Sequence, residues 1–218
     1  LIKVKACGFC GHDMILAKYA AKDWEPFGHE MSGVIEKVGA NVRHLAVGDK
    51  VVLETSTFNP LSDSSRNGRV DLDKDVINYM VPRTSMGFAE YTVAPASLCV
   101  KFDNMSFIEG SMIEPLGVAV DMFKVGEVGL NDDVLVVGIG PIGLMAIQLV
   151  KAAGARKIYA AGLSKSPKRA ELAKKFGADE VIYTDVVDLK TYPFERGGVD
   201  KVLLTAPPAL IEPCTHTL

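Results

Sequence analysis

The chain has 218 residues, 48% of them hydrophobic, which is enough for one large or two modest domains with a substantial core. Its formal net charge of −3 argues against a nucleic-acid-binding surface, because such surfaces carry an excess of basic residues. Four cysteines are too few for a disulfide framework at this length, which favours a reducing, cytoplasmic setting.

The first half of the chain is predicted to be mainly β. Alternating or β-branched apolar runs predict strands over 1–6, 33–38, 50–54, 89–94 and 98–102. Residues 55–87 are polar and contain Pro, Gly and Ser, which predicts a long surface loop. The sequence shows no signal peptide. Because Leu1 opens directly in a predicted strand, we expect the natural N-terminus to lie upstream.

After Ser106 the pattern changes to helices and, later, to alternating strands and helices. We expect a connecting helix with one broad apolar face formed by Ile108, Met112, Ile113, Leu116 and Val120. Strands are then predicted over 134–138, 157–161, 180–183 and 201–205, with helices over 142–153 and 167–176. This alternation predicts a parallel, doubly wound sheet, which we expect to be incomplete because the chain stops soon after its fourth strand.

The segment VLVVGIGPIG, residues 134–143, combines a buried strand with a glycine-rich turn. Gly138, Gly140 and Gly143 have the G-x-G-x-x-G spacing of a dinucleotide-binding turn, in which glycines permit a tight turn, close approach of a pyrophosphate and close packing of the helix on the strand. The start of the following helix offers unpaired N–H groups to the phosphates. The residues expected to contact the cofactor include the intervening Ile139, Pro141 and Ile142.

A transmembrane helix is the alternative interpretation of this region, since residues 134–150 carry no charge. The run is shorter than the roughly 20 residues that a bilayer requires. It also contains three glycines and Pro141 near its start. The strand–turn–helix context therefore favours the nucleotide-binding interpretation.

Two short segments of the first half, CGFCGHD (7–13) and PFGHE (26–30), contain candidate metal ligands. Cys10, His29 and Glu30 offer a thiolate, an imidazole and a carboxylate, which are the ligand types that zinc prefers. Three protein ligands with one open position are typical of a catalytic site, whereas a structural site has four. The open position would admit an alcohol or carbonyl oxygen.

The Cys7-x-x-Cys10 pair has two other interpretations, a redox motif or half of a zinc knuckle. A knuckle needs a second pair of ligands at short distance, and the sequence contains none. A redox motif of this kind lies between a strand and a helix, whereas the surroundings here are predicted to be all β.

Several motifs in this order resemble the zinc-containing medium-chain dehydrogenase/reductase superfamily, which includes the alcohol, sorbitol and threonine dehydrogenases. They are VKACGFCGHD, FGHEMSGVIEKVG, VGDKVV, GFAEYTVAPA, SMIEPLGVA, VLVVGIGPIG and AELAKKFGAD. The EPL element at 114–116 is most similar to the sorbitol (polyol) dehydrogenase branch. The resemblance implies an α/β plus mainly-β protein: a GroES-like catalytic, zinc-binding domain over 1–122 that lacks its N-terminal end, and a Rossmann dinucleotide-binding domain over 123–218 that lacks its C-terminal part.

The resemblance also implies roles for individual residues. Cys10 rather than Cys7 matches the ligand cysteine, His29 the ligand histidine, and Glu30 its neighbouring carboxylate, while Glu114 matches a second carboxylate near the metal. Which of the two carboxylates contacts the metal is left open.

Two positions of the segment CGFCGHD (7–13) also correspond to functional positions of the family. Asp13 matches the aspartate that orients the ligand histidine. His12 stands where the family's proton relay begins, and the relay's usual downstream histidine position is Ile15. His12 is thus either the relay, because imidazoles titrate near neutrality, or a spectator.

Members of the family often bind a structural zinc through four cysteines spaced by three, three and eight residues. The matching positions here are Asn59, Ser62, Ser65 and Asp73. None of these residues is a thiolate, so we expect one catalytic zinc and no structural zinc.

The cofactor preference is predicted from residues about 20 positions after the glycine turn, where NAD enzymes place an acid on the ribose hydroxyls. No acid occurs between Asp133 and Glu171, and the usual acidic position is Ser164, followed by Lys165 and, nearby, Arg169. Such a set favours the 2′-phosphate of NADP over NAD. The alternative is that the basic residues are a solvated helix start.

The resemblance implies hydride transfer between a secondary alcohol or polyol and NAD(P). A zinc-free quinone or enoyl reductase of the same superfamily and a non-catalytic nucleotide-binding protein are the alternatives. The expected partners are a small-molecule substrate and a second copy of the chain, as a homodimer or homotetramer, with neither nucleic acid nor membrane.

Overall fold

The computed structural model describes residues 1–19, 21–75 and 86–218. They form two compact units, Leu1–Glu114 and Pro115–Leu218. In the described part of the chain, no helix has both the length and the apolar character needed to cross a bilayer.

The first unit is built on a five-stranded antiparallel sheet. Its strands are β1 (Ile2–Cys7), β2 (Met31–Ile35), β3 (Lys50–Leu53), β4 (Tyr91–Thr92) and β5 (Cys99–Lys101). They are hydrogen-bonded in the order β4-β1-β2-β3-β5. The mainly-β character predicted for this half is confirmed.

Two of these strands depart from their predicted bounds. β2 ends at Ile35, opposite Ile2, because its partner β1 begins there, so residues 36–38 continue outside the sheet. β4 is much shorter than the predicted strand over 89–94, because it pairs with only Ile2 and Lys3 of β1. The length of the partner strand, which a local sequence pattern does not contain, sets both limits.

The helices of the first unit are α1 (Gly11–Tyr19), α2 (Asp63–Arg66) and α3 (Phe107–Gly110), with 3-10 turns at Val70–Leu72 and Ala96–Leu98. α3 lies within the predicted connecting helix, whereas α1 and α2 were not predicted. α1 buries only Asp13, so it shows no apolar stripe that would reveal it in the sequence. The prediction that the surroundings of Cys10 are all β was therefore wrong. The long predicted loop includes α2 and one 3-10 turn, while its residues 76–85 lie outside the described part.

The second unit is a four-stranded parallel sheet with helical connections. It consists of α4 (Ile113–Val125), β6 (Asp133–Val137), α5 (Pro141–Ala152), β7 (Lys157–Gly162), α6 (Pro167–Phe176), β8 (Glu180–Tyr183), β9 (Lys201–Leu204) and α7 (Ile211–Thr215), with 3-10 turns at Leu189–Thr191 and Pro208–Leu210. The strand order β8-β7-β6-β9 confirms the predicted doubly wound sheet.

The central strand β6 is covered on both faces. Val134 and Val136 pack into one hydrophobic cluster, and Leu135 and Val137 pack into another, with at most 1% of each residue exposed. A strand buried on both faces requires an unbroken apolar run, which is the pattern that the sequence has at this point.

The predicted connecting helix is two helices. A capping box formed by Ser106 and Glu109 begins α3, and α4 begins afresh at Ile113. Ile108 and Met112, assigned to the apolar face, are exposed: Ile108 lies in α3, and Met112 lies in the break between the two helices.

The unit boundary falls between Glu114 and Pro115 rather than at the predicted position between 122 and 123. Met122 and Phe123 of α4 pack against the core of the second unit, so nearly all of α4 belongs to that unit.

Candidate metal centre and nucleotide pocket

Three candidate metal ligands that are distant in the sequence converge in the first unit. One ligand atom from each of Cys10, His29 and Glu30 lies within 4.8 Å of the other two. The antiparallel ladder explains this convergence, because Cys7 at the end of β1 pairs with Met31 at the start of β2. The residues just after β1 and just before β2 are therefore side by side.

Gly8 makes room for the carboxylate of this cluster. Its backbone N–H donates to the Glu30 carbonyl oxygen at 2.7 Å, so the two segments touch at this point. A Cβ at position 8 would lie 2.2 Å from Glu30 Oε2. Any larger residue would therefore displace the Glu30 carboxylate.

Asp13 connects two of the candidate ligands. Its Oδ2 accepts a hydrogen bond from the Cys10 backbone N–H at 3.0 Å, and its Oδ1 lies 3.2 Å from His29 Nδ1. Both side chains are buried. The 3.2 Å contact is poorly aligned for a hydrogen bond, and within the described residues neither Asp13 Oδ1 nor His29 Nδ1 has another partner. An imidazole whose Nδ1 faces a carboxylate has Nε2 available for a metal.

The electrostatic environment of the cluster favours the binding of a cation. Burial is the largest cause that raises the pKa of Cys10 and of Glu30, and each is raised further by neighbouring acids. The His12 backbone N–H, which donates to Cys10 Sγ at 3.4 Å, and the His29 ring act in the opposite direction on Cys10 and Glu30 respectively. Because several buried or partly buried acids lie near one another, a divalent cation would stabilise their ionised forms. The set of thiolate, imidazole and carboxylate fits zinc.

Glu114 lies in the first turn of α4, outside the group of three ligand atoms. Burial raises its pKa, and Glu30 and Asp13 raise it further against the opposing effect of His29. Its carboxylate in turn raises the pKa of Cys10. The structure thus places Glu114 in the same electrostatic environment as the cluster, with Glu30 as the carboxylate inside it.

Cys7 and His12, the other two candidates of this motif, lie beside the cluster. Burial, followed by Asp13 and Glu30, raises the pKa of Cys7 to about 12, so it remains a thiol. A Cβ at Gly28 would come within 2.8 Å of Cys7 Sγ, which shows how tightly the sulfur is enclosed. His12 is exposed at the start of α1.

The four positions that match the family's structural-zinc ligands form a hydrogen-bonded group. The Asn59 backbone N–H donates to Asp73 Oδ2, and Ser65 Oγ donates to the same oxygen at 3.4 Å. Ser62 Oγ donates to Ser65 Oγ at 3.0 Å. The Asp73 side chain is buried, and the N–H of Asp75, followed by Asn59 and the two serines, lowers its pKa.

The glycine-rich turn of the second unit has the geometry expected of its three glycines. Gly138 has φ of 101°, a conformation that other residues rarely adopt. A Cβ at Gly143 would lie 1.8 Å from the Gly138 carbonyl oxygen, so only glycine lets α5 begin this close to β6. A Cβ at Gly140 would meet nothing within 4 Å, so this face of the turn is open to a ligand.

A cavity of about 580 Å³ opens beside this turn at the carboxyl ends of the parallel strands. Four of the residues predicted to bind the cofactor line it: Gly138, Ile139, Gly140 and Arg169. The remaining predicted residues are not among those that line it: Pro141, Ile142, Gly143, Ser164 and Lys165. Ser166, at the start of α6, also lines the cavity.

Asp185, which follows β8, is a lining residue that the sequence analysis missed. Its Oδ1 accepts a hydrogen bond from the Ser164 backbone N–H at 2.9 Å, and its Oδ2 accepts one from Ser164 Oγ at 2.6 Å. The sequence could have pointed to Asp185 through its position just after the predicted strand over 180–183. The carboxyl ends of parallel strands lie at one edge of the sheet, where nucleotides bind.

Two family models match the chain. The alcohol dehydrogenase GroES-like domain covers residues 1–104, and the zinc-binding dehydrogenase domain covers residues 141–218. Sorbitol dehydrogenase of Arabidopsis thaliana is 37% identical over 188 residues, which are 83% of this chain and 51% of that protein. The chain thus spans about half the length of this relative.

Solved structures of the same kind superimpose on the chain. Galactitol-1-phosphate dehydrogenase from Escherichia coli has a TM-score of 0.86 and 27% identity, over 99% of this chain and 64% of that chain. A protein of Sinorhizobium meliloti described as a zinc-binding dehydrogenase, solved with bound NADP, has a TM-score of 0.88 and 25% identity, over 99% of this chain and 65% of that chain. The chain therefore belongs to the zinc-containing medium-chain dehydrogenase/reductase superfamily, near its sorbitol dehydrogenase branch.

Proposed function

We propose that the protein is a zinc-dependent oxidoreductase that transfers a hydride between a secondary alcohol or polyol and a nicotinamide cofactor. The observation that carries this proposal is the convergence of Cys10, His29 and Glu30 within 4.8 Å. Such a ligand set has no role in a zinc-free reductase. The relatives named for sorbitol and galactitol 1-phosphate support a polyol substrate.

In this mechanism Cys10, His29 and Glu30 would hold the zinc. A bound zinc would supply Lewis acidity, which lowers the pKa of an alcohol hydroxyl. Glu30 is proposed as the carboxylate ligand because its oxygen lies inside the cluster. Glu114 is proposed as a nearby acid that adds negative charge to the surroundings of the metal. Asp13 positions both Cys10 and His29 through its two carboxylate oxygens.

His12 is proposed as the group that accepts the substrate proton. Its location is suitable, because it lies at the start of α1, two residues after Cys10, and its side chain is exposed to solvent. A proton accepted by its ring can therefore pass directly to water. Imidazole is suited to this transfer because its ordinary pKa is near neutrality.

NADP is proposed as the favoured cofactor. No acid follows β7 at the usual ribose-binding position, Ser164, and Arg169 lines the cavity. A guanidinium there can bind a 2′-phosphate.

A single zinc per chain is proposed, since the positions that match the structural-zinc ligands carry no thiolate and hydrogen-bond one another around Asp73.

We also propose that the protein forms a homodimer or homotetramer and works in a reducing, cytoplasmic setting. Light scattering of the purified protein would test the oligomeric state.

The test of the proposed function combines metal content with turnover. The purified protein should contain about one zinc per chain and oxidise members of a panel of sugar alcohols and simple secondary alcohols with NAD or NADP. Cys10→Ser should lose zinc and activity, while Cys214→Ser, a buried cysteine of the other unit, should keep both.

Three results would contradict the proposal. If Cys10→Ser kept both metal and turnover, the ligand assignment would be wrong. If the zinc-free protein reduced quinones or enoyl substrates, the zinc-free reductase would replace it, and nucleotide binding without any turnover would indicate the non-catalytic alternative.

A further inference from the structure

The wall of the nucleotide cavity contains a carboxylate that comes from an unexpected element. Asp185 follows β8, whereas the acid that recognises ribose in NAD enzymes follows the second strand of the sheet, here β7. In this chain the second strand is followed by Leu163 and Ser164. Because β7 and β8 are hydrogen-bonded neighbours, the loops at their carboxyl ends are adjacent.

Two hydrogen bonds hold Asp185 against the position where the missing acid would be. Both carboxylate oxygens are engaged by Ser164, one by its backbone N–H at 2.9 Å and one by its Oγ at 2.6 Å. Ser164 lies outside the cavity wall, and Asp185 lies in it. The group that a bound nucleotide would meet at this point is therefore the carboxylate rather than the hydroxyl.

The surroundings of Asp185 stabilise its negative charge. The two hydrogen bonds from Ser164, with a further contribution from Lys165, lower the pKa of Asp185, so it is ionised at neutral pH. Arg169 lines the same cavity and carries the opposite charge. The cavity therefore holds one group that attracts a 2′-phosphate and one that repels it.

We propose that Asp185 is a specificity-determining residue that opposes the 2′-phosphate of NADP, in place of the acid that is absent after β7. Its carboxylate can accept hydrogen bonds from ribose hydroxyls and repels a phosphate at the same place. The preference for NADP given by Arg169 is consequently limited, and NAD remains a usable cofactor. This inference rests on the proposed function only in that a nicotinamide nucleotide occupies the cavity.

The experiment measures dissociation constants of NAD and NADP for the purified protein by calorimetry, without substrate. Asp185→Asn keeps the size and hydrogen-bonding capacity of the side chain and removes its charge. We expect it to lower the ratio of Kd for NADP to Kd for NAD by about fivefold or more. Glu171→Gln is the matched control: it removes one negative charge from an exposed position of α6 outside the cavity, and it should leave the ratio unchanged.

A second variant, Asp185→Ser, guards against a folding defect in the first, and far-UV circular dichroism shows that each variant is folded. If folded variants at position 185 bind both nucleotides with the wild-type ratio, or shift toward NAD, the inference is overturned while the proposed function stands. If the wild type binds neither nucleotide, the proposed function fails and this inference fails with it.

Discussion

At the scale of single residues, Asp13 contacts two of the three residues of the candidate metal centre. Its buried carboxylate lies against the ring nitrogen Nδ1 of His29 and accepts a hydrogen bond from the backbone N–H of Cys10. The sequence motif identified Asp13 as a group that orients the histidine. Its second contact, with the Cys10 backbone, depends on the start of α1, which the sequence did not reveal.

Asp13→Asn should weaken zinc binding by about 10- to 100-fold, because residues that orient metal ligands commonly contribute that much. The amide keeps the shape but loses the charge that faces His29. Competition with a chromophoric chelator would measure the affinity. Asp103→Asn, at an exposed position of the same unit, is the control. An unchanged zinc affinity in a folded Asp13→Asn protein would contradict the positioning role.

At the scale of elements, the turn from β6 to α5 contains two glycines with different roles: one is needed for packing of the helix on the strand, and the other faces the space where a ligand would bind. A Cβ at Gly143 would clash with the Gly138 carbonyl oxygen, whereas a Cβ at Gly140 would meet no protein atom within 4 Å. The sequence fingerprint identified both positions. It did not distinguish a glycine required by the fold from one required by the ligand.

Gly143→Ala should lower the free energy of unfolding by about 1–3 kcal/mol, because the helix must move away from the strand. Gly140→Ala should leave the free energy of unfolding within about 0.5 kcal/mol of the wild type. It should nevertheless weaken nucleotide binding by about tenfold or more, because the methyl group occupies the approach of the pyrophosphate. Denaturant unfolding and calorimetry would measure the two effects. Equal loss of stability in both variants would contradict this division.

A second element-scale prediction concerns the hydrogen-bonded group around Asp73. Hydrogen bonds lower the pKa of this carboxyl in the folded state. The resulting stabilisation is present above the pKa of the unfolded chain and is lost as the pH falls through the folded value. Residues 59–75 should therefore lose protection from hydrogen exchange below about pH 4, after correction for intrinsic rates.

Asp73→Asn provides the comparison, since its amide does not titrate. Its protection over 59–75 should be lower than that of the wild type at neutral pH and should not fall further on acidification. If wild type and variant showed the same dependence on pH, the Asp73 carboxylate would not be the group that holds this segment.

At the scale of the whole molecule, the candidate metal ligands and the candidate nucleotide cavity lie in different units. Cys10, His29 and Glu30 belong to Leu1–Glu114, and the residues of the cavity belong to Pro115–Leu218. Each unit has its own hydrophobic core. Binding of the nucleotide should therefore not depend on the metal.

Removal of zinc with a chelator should abolish turnover and leave the Kd for the nucleotide within a factor of about three, which is less than 1 kcal/mol. Addition of zinc should restore turnover. Calorimetry on the chelated protein would provide the measurement. Loss of nucleotide binding on chelation, with recovery on addition of zinc, would contradict independent sites.

The sequence by itself determined the fold class, the parallel order of the second unit and the identity of the three converging candidate ligands. These features follow from local patterns: the unbroken apolar run of β6, the glycine spacing after it, and the residue types at positions 10, 29 and 30. Such patterns report how a segment is buried or turned, and they need no knowledge of its neighbours.

Only the tertiary structure decided which groups meet. It placed Glu30 rather than Glu114 inside the ligand cluster, began α1 at a segment without an apolar stripe, and brought Asp185 to Ser164 across the edge of the parallel sheet. The physical reason is the same in each case: the contact joins segments that are far apart along the chain. Their approach is fixed by strand pairing and by burial of whole faces, which no local stretch of sequence contains.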